Sequence, residues 1–177
     1  MKLKFRFNEE KAIETLVWLA HQWPGITPFY VAKILFYAEK DHFNRYGRPI
    51  VADTFIAMPY GPVPSTVYDF IRGNYLLAEQ PDALSEAVAV QGSHVRAVRA
   101  PNLDVFSESD LECLRGGLDR CRQVPFGQLS TMTHGERAWR EAPANGPMDY
   151  ELFIDSDNPR RADILEHAQE TAAYGTL

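Results

Sequence analysis

Only two cysteines occur among the 177 residues, Cys113 and Cys121, eight positions apart in a helix-like segment. That spacing is about 12 Å along a helix axis, too far for a disulfide within one helix. The scarcity excludes a disulfide scaffold and points to core or half-buried thiols and a cytoplasmic protein. Without a Cys-x-x-Cys pair, and with five scattered histidines, there is no zinc spacing either. Long apolar runs are also missing. Nothing approaches the ~20 apolar residues of a membrane span, so no membrane partner is expected. The opening Met1–Phe7 turns polar at Asn8, Glu9 and Glu10 before any signal-peptide core could form. Positive charge is in deficit, with 18 Lys and Arg against 24 Asp and Glu, a net charge of −6. An acidic chain lacks the footprint of a duplex nucleic-acid binder, so nucleic acid is not an expected partner. No serine or cysteine sits in a nucleophile context, and the glycines never form a phosphate-cradling loop between strand and helix. No cofactor is expected. Repeats, low-complexity tracts and dividing linkers are absent as well, so residues 1–177 read as a single domain.

What is present is the balance of an ordinary globular protein, 45% hydrophobic and 24% charged. A first helix is predicted over Glu9–Gln22, capped by Asn8, with Ile13, Leu16, Val17 and Ala20 as its apolar stripe. A second helix has Thr27 as cap, Pro28 at its first position and Gly47 just past its end. Its first half carries apolar or aromatic residues on most sides, which predicts a buried central helix. Asp53–Met58 is β-prone, but Pro59, Pro62 and Pro64 limit it to a short or edge strand. Gly61-Pro62-Val63-Pro64 reads as a turn, and Pro64-Ser65 opens a short helix stopped by Gly73. Residues 73–86 carry little pattern. Ala87–Val90 and His94–Arg99 predict a hairpin, placed at an edge because neither face is cleanly apolar. Ser107 and Asp110 form a reciprocal cap for the next helix. Within that helix Gly116 and Gly117 each cost about 1 kcal/mol relative to alanine. Pro125 ends it, helical turns follow near Gly127–Met132 and Glu136–Glu141, and Asn158-Pro159 caps a last helix. The expected fold is α+β, mainly α: a helical domain around a buried central helix, with a small antiparallel hairpin or sheet.

Two constellations could carry chemistry. Glu39 and His42 have the Glu-x-x-His spacing of metal-binding bundles, but such sites need two of these motifs and the chain has one. The structural reading pairs Glu39 or Asp41 with Arg45 or His42. His134 and Glu136 could serve as an acid–base pair. In the structural reading, Thr133 or His134 caps the turn leading to Trp139. Tyr60-Gly61-Pro62-Val63-Pro64 is different in kind. A proline-stiffened aromatic segment has little entropy to lose and can present a preformed surface to a partner, or it is a tight connector. Arg45, Tyr46 and Arg48 could rim such a surface, since arginine and tyrosine are enriched at binding hot spots.

In order along the chain, Lys33–Glu39, His42, Tyr46-Gly47-Arg48-Pro49 and Met58-Pro59-Tyr60-Gly61-Pro62-Val63-Pro64 resemble the Panacea family, also called SocA-like antitoxin domains. Tyr68, His94–Ala97, Phe106–Asp110 and Thr133–Glu136 with Trp139 continue the resemblance, which covers roughly residues 10–170. It implies an antitoxin of a bacterial or phage-associated, type II-like toxin–antitoxin system, neutralising a cognate protein toxin by direct binding. Delivery of the toxin to a cellular protease is a secondary expectation. Enzymatic activity is not an established property of the family, and operator binding is not expected in a chain without room for a separate DNA-binding domain. Arg45, Tyr46, Arg48, Tyr60 and Val63 are the residues expected to bind the partner, as contacts or as supports for the contact surface. The alternative is a small hydrolase or metal-assisted acid–base enzyme in which Glu39, His42, His134 and Glu136 converge in a cleft.

Overall fold

The computed structural model describes residues 2–174. Helix α1 spans Glu9–Gln22, with the Asn8 side chain accepting from the Lys11 N–H at 3.0 Å. Helix α2 spans Pro28–Tyr46 and ends at Gly47 in the left-handed conformation. Thr27 holds the cap position but its hydroxyl makes no cap hydrogen bond. Strands β1 (Phe55–Met58) and β2 (Gly61–Pro64) pair antiparallel, and α3 (Ser65–Ile71) follows directly. Next come α4 (Pro81–Ala87) and the antiparallel pair β3 (Val88–Gln91) and β4 (His94–Ala97). Helices α5 (Glu108–Cys121), α6 (Phe126–His134), α7 (Arg137–Arg140) and α8 (Arg161–Tyr174) complete the chain, with 3-10 turns at Leu103–Val105 and Tyr150–Phe153. With eight helices and two two-stranded antiparallel sheets among the described residues, the fold is α+β and mainly α. No helix among them is long and apolar enough to cross a membrane.

Helix α2 is the centre, as its apolar circumference predicts. Residues from Val31 to Phe43 are buried on nearly every side. Phe36 meets Phe55 and Phe153 edge-on, and Phe43 meets Phe5 and Tyr150 in the same way. Helix α5 packs against α2 with Gly117 at the contact. A Cβ built on Gly117 would stand 2.6 Å from the Ile34 carbonyl, whereas one on Gly116 meets nothing within 4 Å. The two adjacent glycines therefore have opposite meanings. Gly116→Ala is expected to stabilise by about 0.5–1 kcal/mol through helix propensity. Gly117→Ala is expected to destabilise by about 1–3 kcal/mol through overpacking, and urea unfolding of the two variants checks both signs.

The segment predicted as a Gly-Pro-Val-Pro turn is a strand. Phe55 and Ala57 send their backbone bonds away from β2: the Ala57 N–H donates to Gly146, while the Ala57 and Phe55 carbonyls accept from Asn145 and Met148. The residues opposite them in register are Pro64 and Pro62. Both prolines thus occupy positions whose missing N–H the ladder never needed. β1 is short but flanked on both sides, and β2 is the edge. Helix α4 forms where the sequence carries little pattern; only Leu84 and Ala87 of its seven residues are buried. The β3–β4 hairpin also lies closer to the core than its mixed faces suggest. Val95 is fully buried and its N–H donates to Ile26, while Arg99 pairs with Glu14 of α1.

Candidate partner-binding groove

The β1–β2 turn is held from behind. The His134 Nε2–H donates to the Pro59 carbonyl at 2.9 Å, and the Trp139 indole N–H donates to the Met58 carbonyl at 3.0 Å. The two rings stack with centroids 4.0 Å apart. Gly61 adopts φ +103, and a Cβ there would collide with the Thr133 hydroxyl and the stem of Lys33. At the far end of β2, the Asp53 carboxylate accepts from the Thr66 and Val67 N–H groups at 3.1 and 2.8 Å, capping α3 in place of Pro64, which has no side chain to do so. The hairpin is therefore fixed at its turn and at its exit.

What this scaffold displays is apolar. Tyr60 is 63% exposed, Phe126 46% and Met58 38%. They border a groove of about 610 Å³ between the hairpin and the first turns of α2 and α3. An aromatic row runs inward from the rim: Tyr60 to Phe126 at 5.3 Å between centroids, then Phe126 to Phe29 at 4.2 Å. The row ends on Lys33, whose Nζ stands 4.6 Å from the Phe29 centroid. Lys33 is 1% exposed and donates to the Pro62 carbonyl at 3.0 Å, the oxygen that the proline register turns away from β1. Burial pushes the ammonium down to about 7. Val63, predicted as a contact, lines the same groove. Phe29, Lys33 and Phe126 were not singled out as contacts. The legible signal was a lysine inside the apolar circumference of α2.

Arg45, Tyr46 and Arg48 lie elsewhere. Lys33 and Arg45 are about 18 Å apart along the axis of α2, and of the five predicted residues only Tyr60 and Val63 line the groove. Arg45 pairs with Glu112 of α5 at 3.0 Å on the exposed surface, instead of with Glu39 or Asp41, and Asp41 faces Arg120 at 3.7 Å. Tyr46 is exposed and packs its ring on His42 with centroids 4.7 Å apart. Arg48 reaches the Ser107 hydroxyl at 3.0 Å and the buried Asp110 carboxylate at 3.1 Å. Asp110 also receives Lys11 at 2.8 Å, so this carboxylate ties α1, the α2 exit and the α5 cap together. Burial opposes its charge, but the Lys11 and Ser107 hydrogen bonds and the neighbouring cations outweigh that and hold it below the usual carboxylate range. Arg48 is a support.

The four residues of the enzymatic alternative do not converge. Glu39 is fully buried and accepts from the N–H groups of Ile50, Val51 and Ala52 at 2.6, 2.8 and 3.1 Å. The His42 Nδ1–H donates to the Arg48 carbonyl at 2.8 Å, and Nε2 faces the Ser109 hydroxyl at 3.0 Å. Burial, with the charge of Arg48, lowers that imidazole to about 4, so it is neutral at pH 7. His134 braces the hairpin, and Glu136 is paired with Lys40 at 2.6 Å. Thr133 donates back to the Ser130 carbonyl and caps nothing. Among the described residues no three His, Cys, Asp or Glu side chains are grouped to hold a metal ion.

No curated protein and no solved structure matches the chain. A family model described as "Antitoxin SocA-like, Panacea domain" matches residues 31–140. That span holds most of α2, both hairpins, and α5 to α7, including Lys33, Tyr60 and Phe126. The chain belongs to the SocA-like Panacea antitoxin domain family.

Proposed function

We propose that this antitoxin-family chain neutralises a cognate protein toxin by direct binding, with the β1–β2 groove as the contact surface. One observation carries the assignment of the surface. Three large apolar side chains stand exposed around a single groove, on a hairpin already fixed by hydrogen bonds to Pro59 and Met58. A rigid aromatic rim loses little entropy on association, which is the usual character of a binding hot spot. The pairing of Arg45 with Glu112 offers less, because both side chains are about half exposed and already satisfy each other.

The test is co-expression of the tagged chain with the product of the adjacent gene, scored by pull-down and by growth rescue. Rescue with a stable complex is expected. Tyr60→Ala and Phe126→Ala should each weaken that complex about 30-fold, the scale of a 2 kcal/mol hot spot. Rescue through a complex indifferent to both substitutions would move the interface elsewhere. Rescue with rapid toxin loss and no complex would favour protease delivery. A neighbour that is neither toxic nor bound would remove the reading.

A further inference from the structure

We infer that the groove is built for a partner segment carrying a large apolar side chain beside a carboxylate, the carboxylate reaching Lys33 at the floor. The occupant rests on the toxin-masking reading above; the chemistry of the site does not. Other buried or half-buried lysines in this fold have carboxylate partners: Lys11 meets Asp110 at 2.8 Å, and Lys40 meets Glu136 and Asp155 at 2.6 and 2.8 Å. Lys33 is more deeply buried than either, yet among the described residues no carboxylate lies within 4.0 Å of it. An ammonium has three donors, and among the described residues only the Pro62 carbonyl accepts one. The Phe29 face offers a second favourable contact, weaker than an acceptor. Holding a cation in this way is costly unless the missing acceptor arrives from outside. Ile56, Met58 and Val63 wall the groove with apolar side chains, and its polar lining groups Ser65, Tyr68 and Asp69 belong to α3. An apolar group on that aromatic row would place its own carboxylate at the row's inner end.

Carboxylate contact favours the charged ammonium, so occupancy raises Lys33 above the value of about 7 it has in the empty groove. Affinity is then fully present below pH 7 and falls as pH rises, by up to about tenfold per unit, until the bound-state value is passed. Other titratable groups face this region. Cys121 on α5 is pushed up to about 12 by burial and stays a neutral thiol. Tyr60 borders the groove from the hairpin, Tyr68 and Asp69 from α3, while His134 stands behind the turn.

The experiment titrates 4-phenylbutyrate and its neutral counterpart 4-phenylbutanol into the whole protein, following the Met58 methyl and Lys33 Cε signals by NMR. The acid is expected to bind at least about tenfold tighter than the alcohol at pH 6.5, shifting both signals, and to weaken at least about tenfold between pH 7 and 9. Lys33→Met should abolish both the preference for the acid and its pH dependence. Equal binding of acid and alcohol, or a preference surviving in Lys33→Met, overturns the inference. The captured partner is then measured over the same pH range. A falling affinity in the wild type and a flat one in Lys33→Met supports the carboxylate-bearing segment. A partner whose affinity is flat in both, with phenylbutyrate behaving as expected, assigns the groove to a small carboxylate and overturns the proposed occupant. No captured partner overturns the proposed function and its occupant together, and the phenylbutyrate arm alone then decides the chemistry of Lys33.

Discussion

Glu39→Ala is expected to destabilise the protein by about 4 kcal/mol or more, a large part of the 5–15 kcal/mol that roughly spans domain stabilities. Among the described residues the carboxylate is the sole side chain that receives the N–H groups of Ile50, Val51 and Ala52, and all of these groups are buried. Each buried donor left without an acceptor costs about 1–3 kcal/mol. Ala52 is held at φ 60, a conformation unfavourable for alanine, so the turn also stores strain that the carboxylate anchors. Glu39→Gln keeps an oxygen acceptor and is expected to be milder, about 1–2 kcal/mol. The pH dependence separates the two effects. Burial, partly offset by the three backbone bonds and reinforced by the charge of Asp53, raises Glu39 from 4.5 to about 7. A raised folded value means stability that is present below pH 4.5 and lost as pH climbs through about 7. The wild type therefore loses part of its advantage over Glu39→Gln between pH 5 and 8. Urea unfolding at both pH values measures it.

Lys33→Met is expected to act in the opposite direction, stabilising the isolated protein by roughly 2–4 kcal/mol at neutral pH. A buried ammonium with one acceptor is replaced by an apolar chain of similar length in an apolar wall. Lys33 is lowered from 10.5 to about 7 by burial. A lowered folded value means stability present above pH 10.5 and lost as pH falls through about 7, so the advantage of the methionine should grow from pH 9 to pH 6. Thermal unfolding across that range reads it directly. A variant that is both more stable and worse at binding has lost a residue kept for function. A destabilised variant would instead make Lys33 a structural strut through Pro62.

The parts of the fold that local chemistry decides were legible in the sequence. Asn8, the Ser107–Asp110 reciprocal cap, Pro28 and Gly47 set helix ends within a few residues of themselves, and all four stand where the sequence places them. Strand β1 was legible within Asp53–Met58, but its pairing with β2 was not. Whether proline is tolerated in β2 depends on which edge of β1 bonds elsewhere, and that is fixed by Asn145–Met148, far along the chain. The candidate site was half legible for the same reason. Tyr60 and Val63 stand out through the stiffness of their own segment. Phe29 and Phe126 become neighbours only when α6 folds back over the start of α2. Arg45, Tyr46 and Arg48 drew notice by residue type. Their engagement with Glu112, His42 and Asp110 is a tertiary matter that residue type does not reveal.

The most direct test of the account is hydrogen–deuterium exchange of the chain alone and in complex with its captured partner. Protection is expected at the β1–β2 turn, at the start of α6 around Phe126 and at the first turn of α2, with little change at the exit of α2 around Arg45 and Tyr46. Protection confined to the α2 exit and the start of α5, with the hairpin turn exchanging as in the free protein, would contradict it.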